Sequence, residues 1–193
     1  MDPLSAIAAS GMRTSTESLD MLANNLANVS TAGYKSDREF FDLFSPGGAN
    51  DPGVTGESSM PNIQKNWIDF SQGTLHQTDS ELDFAVSGAG FFTVQGPSKP
   101  LYTRNGAFRL NANGEIVTAQ GYQVLGTDGN PIRVDSARPI VVTKEGDVSQ
   151  NGQNIGRLGV VTPAKMDALR KEGAGYFALN DSTVTTAQAS GEI

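Results

Sequence analysis

The chain has 193 residues, of which 37% are hydrophobic and 7% aromatic, with 22 Gly and 9 Pro. This composition fits short strands joined by many turns better than a helical bundle. With 14 Lys and Arg against 21 Asp and Glu, the formal net charge is −7, which argues against binding to nucleic acid or to anionic lipid because both require basic residues.

Cysteine is absent and histidine occurs once, which excludes disulfides and cysteine-based zinc or iron–sulfur sites. No apolar stretch reaches the roughly 20 residues that span a bilayer. The first residues also lack the basic start and continuous apolar run of a secretory signal. We therefore expect neither membrane insertion nor secretion by that route.

The first 32 residues have the spacing of a helix that pairs with other helices. Asp2 and Pro3 are typical of an N-cap and a first helical position, and Gly33 is typical of a residue that follows a helix end. We therefore predict a helix that ends within residues 30–33. Its heptad positions follow the 4-3 spacing of a coiled coil, with one serine as the only break; they are Ala8, Met12, Ser15, Leu19, Leu22, Leu26 and Val29.

This apolar face is narrow and flanked by small residues, which favours close packing with other helices over covering a sheet. The alternative is a surface helix that packs on the chain's own β-domain. About 28 residues at 1.5 Å each make a rod of roughly 40 Å, long enough to project beyond a domain of this size.

Three asparagines, Asn24, Asn25 and Asn28, lie near the end of the predicted helix. Asparagine is a poor helix former, so their presence needs a reason. Asn24 and Asn28 lie four residues apart on one face, beside the heptad positions. Side-chain amides there can hydrogen-bond across helices and fix their register. The alternative is that they cap the last helical turn locally.

Residues 36–66 are expected to form a flexible connecting segment, because a run rich in Pro and Gly occupies residues 45–53. From Trp67 onward the sequence predicts short strands with turn signals roughly every 10–15 residues, typical of an antiparallel sandwich or barrel-like β-domain over 67–193. Asn113 and Gly114 predict a hairpin turn, and a short helix is possible around residues 164–172. The predicted fold class is therefore mainly β, with a long N-terminal α-helix.

Side chains that carry catalysis or bind ions are present, but not in the arrangements that such chemistry requires. His76 lacks a motif that supplies a nucleophile and an orienting carboxylate. Asp79, Glu81 and Asp83 alternate along the chain, and carboxylate oxygens are ligands that calcium accepts. Such a group of carboxylates is nevertheless found more often in a solvated turn than at a calcium site. The run Gly88–Gly90 lacks the third glycine and the following helix of a dinucleotide site.

We therefore predict no catalytic residue, no cofactor and no bound metal ion. Two other functions remain as alternatives at this point. One is a glycosidase that uses carboxylates such as Glu81 and Asp83 on either side of a pocket. The other is an adhesin or carbohydrate-binding β-module carried on a helical stalk.

Two blocks of sequence resemble the bacterial flagellar rod and hook protein family. Residues 23–35 read Ala-Asn-Asn-Leu-Ala-Asn-Val-Ser-Thr-Ala-Gly-Tyr-Lys and are similar to the family's N-terminal signature. Residues 82–94 and 102–108 resemble its β-domain. Residues 69–75 and 155–161 are most similar to proximal-rod members, with distal-rod members second.

This resemblance implies a non-enzymatic axial subunit that transmits torque from the motor to the hook and needs no cofactor. It also implies export by the flagellar type III apparatus, location in the periplasmic rod of the basal body, and helical polymerisation with other rod and hook subunits.

In the family, N- and C-terminal helices pair in an inner layer and the β-domain forms an outer layer. Residues 1–35 would then be one half of that inner layer, and we expect the usual C-terminal helix to be absent from this chain. The predicted assembly interface comprises Met12, Leu19, Leu22, Asn24, Asn25, Leu26, Asn28 and Val29.

Overall fold

The computed structural model describes residues 3–44, 60–173, 175–180, 186–189 and 193. Within these residues the predicted fold class is confirmed, since the chain is mainly β with antiparallel sheets and one long N-terminal helix. The helix and strands are α1 Pro3–Ala27, β1 Asp37–Phe44, β2 Met60–Ile68, β3 Phe91–Gln95, β4 Pro100–Thr103, β5 Arg109–Leu110, β6 Ile116–Val117, β7 Val141–Val142, β8 Asp147–Gln150, β9 Gln153–Arg157, β10 Val160–Pro163, β11 Leu169–Lys171, β12 Tyr176–Leu179 and β13 Thr186–Gln188.

The chain divides into two compact units. The first comprises Met1–Ser30 and Lys35–Phe70, and the second comprises Thr31–Tyr34 and Ser71–Ile193. Trp67 therefore belongs to the first unit, although the sequence pattern places it at the start of the β-domain.

The first unit consists of α1 packed on a two-stranded antiparallel sheet of β1 and β2. Asp37 lies opposite Ile68 and Phe44 opposite Met60, with a bulge between Phe40 and Phe41. Both ends of the segment 36–66, which the sequence predicts to be a flexible connection, form strands in the structure. Segments that contain aromatic and β-branched residues favour strands, and the pairing of β1 with β2 satisfies the hydrogen-bonding groups of their backbones. The remainder of that segment, 45–59, lies outside the described residues.

An ion pair and a cation–π contact lie at the end of this sheet where β1 begins and β2 ends. Arg38 Nε lies 2.9 Å from Asp69 Oδ2, and the Arg38 guanidinium lies 5.9 Å from the centroid of the Trp67 ring. Trp67 is half exposed, so the cation–π contact is partly solvated and contributes about 0.5–1 kcal/mol.

The end of α1 comes earlier than the spacing predicts. The helix ends at Ala27. Asn28 N donates to the carbonyl oxygens of both Asn24 and Asn25 at 3.2 Å, and such bifurcated hydrogen bonds are common at helix ends. Gly33 has φ of +69°, but its role is a close approach: a Cβ there would lie 2.3 Å from the backbone carbonyl carbon of Arg104.

In the second unit, a six-stranded antiparallel sheet runs in the order β11-β12-β4-β3-β10-β13. Phe91, Phe92 and Phe177 are fully buried, and the rings of Phe91 and Phe177 meet edge to face at 5.6 Å. The predicted short helix near residues 164–172 is reduced to a 3₁₀ turn at Met166–Ala168, which β11 follows directly.

The predicted Asn-Gly hairpin is confirmed, with β5 paired antiparallel to β6. Glu115 lies just after the turn and is buried, with 3% of its side chain exposed. Its carboxylate accepts hydrogen bonds from Asn111 Nδ2 at 2.8 Å, Gln123 Nε2 at 2.7 Å and Arg133 Nη2 at 2.7 Å. These hydrogen bonds, with Asn111 the largest contributor, lower the pKa of Glu115.

Candidate functional site

Helix α1 packs on its own sheet, and the described side chains of the packed face are mostly polar. Thr14 is buried there, and Ser18, Met21, Asn25 and Asn28 are half-buried. Ser18 Oγ donates a hydrogen bond to the Glu39 carboxylate on β1. Among the side chains that the structure describes on this face, polar and small ones therefore outnumber large apolar ones.

A neighbouring face carries five large exposed apolar side chains. The exposed fractions lie between 60% and 75%; we call this set the apolar stripe, and it comprises Met12, Leu19, Leu22, Leu26 and Val29. Val29 lies in the turn that follows α1, and the other four lie on the helix itself. At about 3.6 residues per turn these positions form one continuous band along the helix.

The other two heptad positions leave this band less apolar. Ala8 and Ser15 are exposed, and Ser15 Oγ donates to Gly11 O at 2.9 Å. The hydroxyl of Ser15 thus has a hydrogen bond within the helix and does not require one from a partner helix. The side of α1 away from the stripe is charged, with Arg13 Nε 3.0 Å from Glu17 Oε1.

The three asparagines make contacts inside the chain. Asn25 Nδ2 donates to Asp37 O at 2.9 Å, and Asp37 N donates to Asn25 Oδ1 at 3.0 Å. This reciprocal pair attaches the end of α1 to the start of β1. Asn28 Nδ2 donates to Asn24 O at 2.9 Å, which is local capping of the kind we named as the alternative. A role for these residues in the register between helices stays a prediction.

The structure therefore separates the predicted site into two groups. The apolar residues lie together and exposed on one face, whereas Asn25 contributes to the packing of the first unit. Sequence reasoning missed this packed face. A second 4-3 spacing, polar at every position except Met21, was the available signal; its members are Thr14, Ser18, Met21, Asn25 and Asn28.

The candidate catalytic and metal-binding side chains do not converge. His76, Asp79, Glu81 and Asp83 are all exposed, and Asp83 Oδ2 accepts a hydrogen bond from Thr78 Oγ1 at 2.9 Å. Among the described residues, no three His, Asp or Glu side chains lie close enough together to hold a metal ion.

The glycine run at residues 88–90 serves packing. Gly90 permits a close approach, because a Cβ there would lie 2.7 Å from the Ala189 side chain.

No helix in the described part of the chain is both long enough and apolar enough to cross a membrane.

Two family models match separate parts of the chain. Residues 6–35 match the model described as "Flagella basal body rod protein", and this range contains the whole apolar stripe. Residues 85–153 match the model described as "Flagellar hook protein FlgE/F/G D1 domain", which corresponds to the greater part of the second unit.

Individual relatives match nearly the whole chain. The flagellar basal-body rod protein FlgF of Caulobacter vibrioides is 34% identical over 97% of this chain and 79% of its own length. The flagellar basal-body rod protein FlgG of Bacillus subtilis is 32% identical over 95% of this chain and 76% of its own. The flagellar hook protein FlgE of Brucella abortus is 32% identical over 94% of this chain but only 41% of its own.

Proposed function

The chain belongs to the bacterial flagellar rod and hook protein family, and we propose that it is a structural subunit of the basal-body rod that polymerises through the apolar stripe. The similarity to rod proteins, FlgF first and FlgG second, supports a rod subunit. The observation that carries the proposed interface is the apolar stripe itself, five large apolar side chains on α1 and the turn after it that are 60–75% exposed and form one band.

The energetics favour covering this band. Fully burying a Leu, Val or Met side chain stabilises by about 1.5–3 kcal/mol. Covering the exposed parts of the five side chains therefore gives on the order of 5–10 kcal/mol before the entropy cost of association. That gain is available only when other helices cover the stripe, because α1 uses a different face to pack on β1 and β2.

The finer features of the role follow from the same proposal. Residues 1–35 would form half of an inner, helical layer of the rod, and the β-domain from about Trp67 onward would make the contacts between subunits outside that layer. The partners would be other rod and hook subunits together with the flagellar type III export apparatus. In its polymer the subunit would transmit torque within the periplasmic rod, and we assign it no catalytic activity.

The test replaces two residues of the apolar stripe by aspartate, Leu22→Asp together with Leu26→Asp. We expect this variant to be lost from assembled rods and its cells to be non-motile. The melting of the second unit should not change, because both leucines are exposed. Buried aspartate opposite an apolar partner is strongly unfavourable, so the defect should be in assembly.

A matched control places two aspartates at positions that have no stripe residue three or four residues away, as Arg13→Asp together with Ala27→Asp. Both positions are exposed and lie off the apolar stripe. This control should assemble and support swimming. If the stripe variant swims normally, or if both double variants fail alike, the apolar stripe is not the assembly interface.

A further inference from the structure

Three asparagines in this chain precede a glycine, at Asn105, Asn113 and Asn151. Glycine has no side chain to hinder attack by its own backbone nitrogen on the preceding asparagine. The intrinsic tendency to lose the side-chain amide is thus shared by all three pairs, and the fold decides which of them can react.

Asn105 and Asn113 are held in conformations that oppose the reaction. Asn105 Oδ1 accepts a hydrogen bond from Ala107 N at 3.0 Å. Gly106 beside it is so closely packed that a Cβ would lie 1.7 Å from Phe84 O. At the second pair, the Gly114 N–H donates to Asn111 O at 3.0 Å, so the nitrogen that would attack is engaged.

Asn151 has none of these restraints. Both Asn151 and Gly152 are exposed in the turn between β8 and β9, and open space surrounds the position of a Cβ on Gly152. Within the described part of the chain, neither the Asn151 side chain nor the Gly152 N–H makes a hydrogen bond. Asn151 is also the one non-glycine residue there with positive φ, at 51°, a conformation that costs an L-residue roughly 1–2 kcal/mol.

We propose that Asn151 is a site of spontaneous deamidation, selected by the fold over Asn105 and Asn113. Hydroxide removes the proton from Gly152 N, which attacks Asn151 Cγ; the N–Cγ bond forms, the Cγ–Nδ2 bond breaks, and ammonia leaves. Water then opens the five-membered ring. Cleavage of the Cγ–N bond gives aspartate, and cleavage of the bond to the backbone carbonyl carbon gives isoaspartate.

The product changes the turn in two ways. It adds a negative charge to a chain whose formal net charge is −7. Isoaspartate also lengthens the backbone by one carbon within a two-residue turn, beside the Gln150–Gln153 pair that closes the β8–β9 hairpin. Register in a hairpin depends on loop length, so the pairing next to the turn is perturbed.

The experiment incubates the folded chain above neutral pH and follows conversion of each Asn-Gly peptide by mass spectrometry. Isoaspartate is scored by labelling with an isoaspartate methyltransferase. Asn151 should convert at least about fivefold faster than Asn113, because the hydrogen bond on Gly114 N must first be broken. The variant Asn151→Asp carries the added negative charge from the start and should therefore gain no further negative charge at this position.

A parallel incubation in urea separates the fold from the local sequence. Once unfolded, the three pairs should convert at similar rates, so the ratio of Asn151 to Asn113 should fall towards one. The proposal is overturned if Asn105 or Asn113 reacts as fast as Asn151 in the folded chain. It is equally overturned if unfolding leaves the ratio unchanged, or if Asn151 in the folded chain does not react.

Discussion

Replacing Asn25 by alanine distinguishes the two roles considered for this residue. In the structure, its side chain exchanges two hydrogen bonds with the backbone of Asp37, at 2.9 and 3.0 Å. A hydrogen bond contributes about 0.5–1.5 kcal/mol, and a buried group left unpaired costs more. Because Asp37 is half-buried, water replaces part of the loss, and we expect Asn25→Ala to destabilise the first unit by about 1–3 kcal/mol.

For a unit of this size, such a loss lowers the melting temperature by on the order of 10 °C. Trp67 is the only tryptophan in the chain and lies on β2, so its fluorescence follows the unfolding of the first unit alone. Asn24→Ala is the matched control. Asn24 is exposed, and its side-chain contact with Asn28 is long, at 3.4 Å, so this change should stay within about 0.5 kcal/mol.

The opposite result would show that the reasoning is wrong. If Asn25→Ala melts like Asn24→Ala and yet fails to enter the rod, Asn25 acts between helices. The contact with Asp37 would then contribute little to the stability of the first unit.

Two further predictions concern the second unit. Glu115→Gln should be less stable than the unmodified chain at neutral pH, and acid titration of melting should show this gap closing as pH falls below the ordinary value near 4.5. The sign follows from the lowered pKa of Glu115, whose contribution is lost when its carboxylate is protonated. Gly106→Ala should cost about 1–3 kcal/mol in denaturant unfolding, because its Cβ would collide with Phe84 O. Gly73→Ala, with open space around it, should be close to neutral.

Local chemistry explains what could be predicted from the sequence. The heptad spacing of Leu19, Leu22 and Leu26 marks a helix and one apolar face at once, since both follow from the helical period. The pair Asn113 and Gly114 fixes a hairpin because few other residues accept the backbone angles of such a turn.

Contacts between distant residues explain what could not be predicted. The sequence pattern gives no reason to expect that Glu115, beside a turn, is buried. Only the folded chain brings Gln123 and Arg133 to its carboxylate. The pairing of β1 with β2 likewise joins segments separated by a run rich in Pro and Gly, and that run predicts a break in structure rather than a loop between two paired strands.

The two faces of α1 explain why the sequence predicts the apolar stripe but does not predict the face through which the helix packs on β1 and β2. Apolar spacing reveals which side chains gain from burial but not which partner buries them. Here the chain holds the helix through Thr14, Ser18 and Asn25, whose polar character gives no hydrophobic signal. Leu22 and Leu26 stay exposed in this arrangement, and in the proposed assembly a second helix covers them. A subunit that polymerises needs this separation of faces, because apolar area covered within the chain is no longer available to stabilise the assembly.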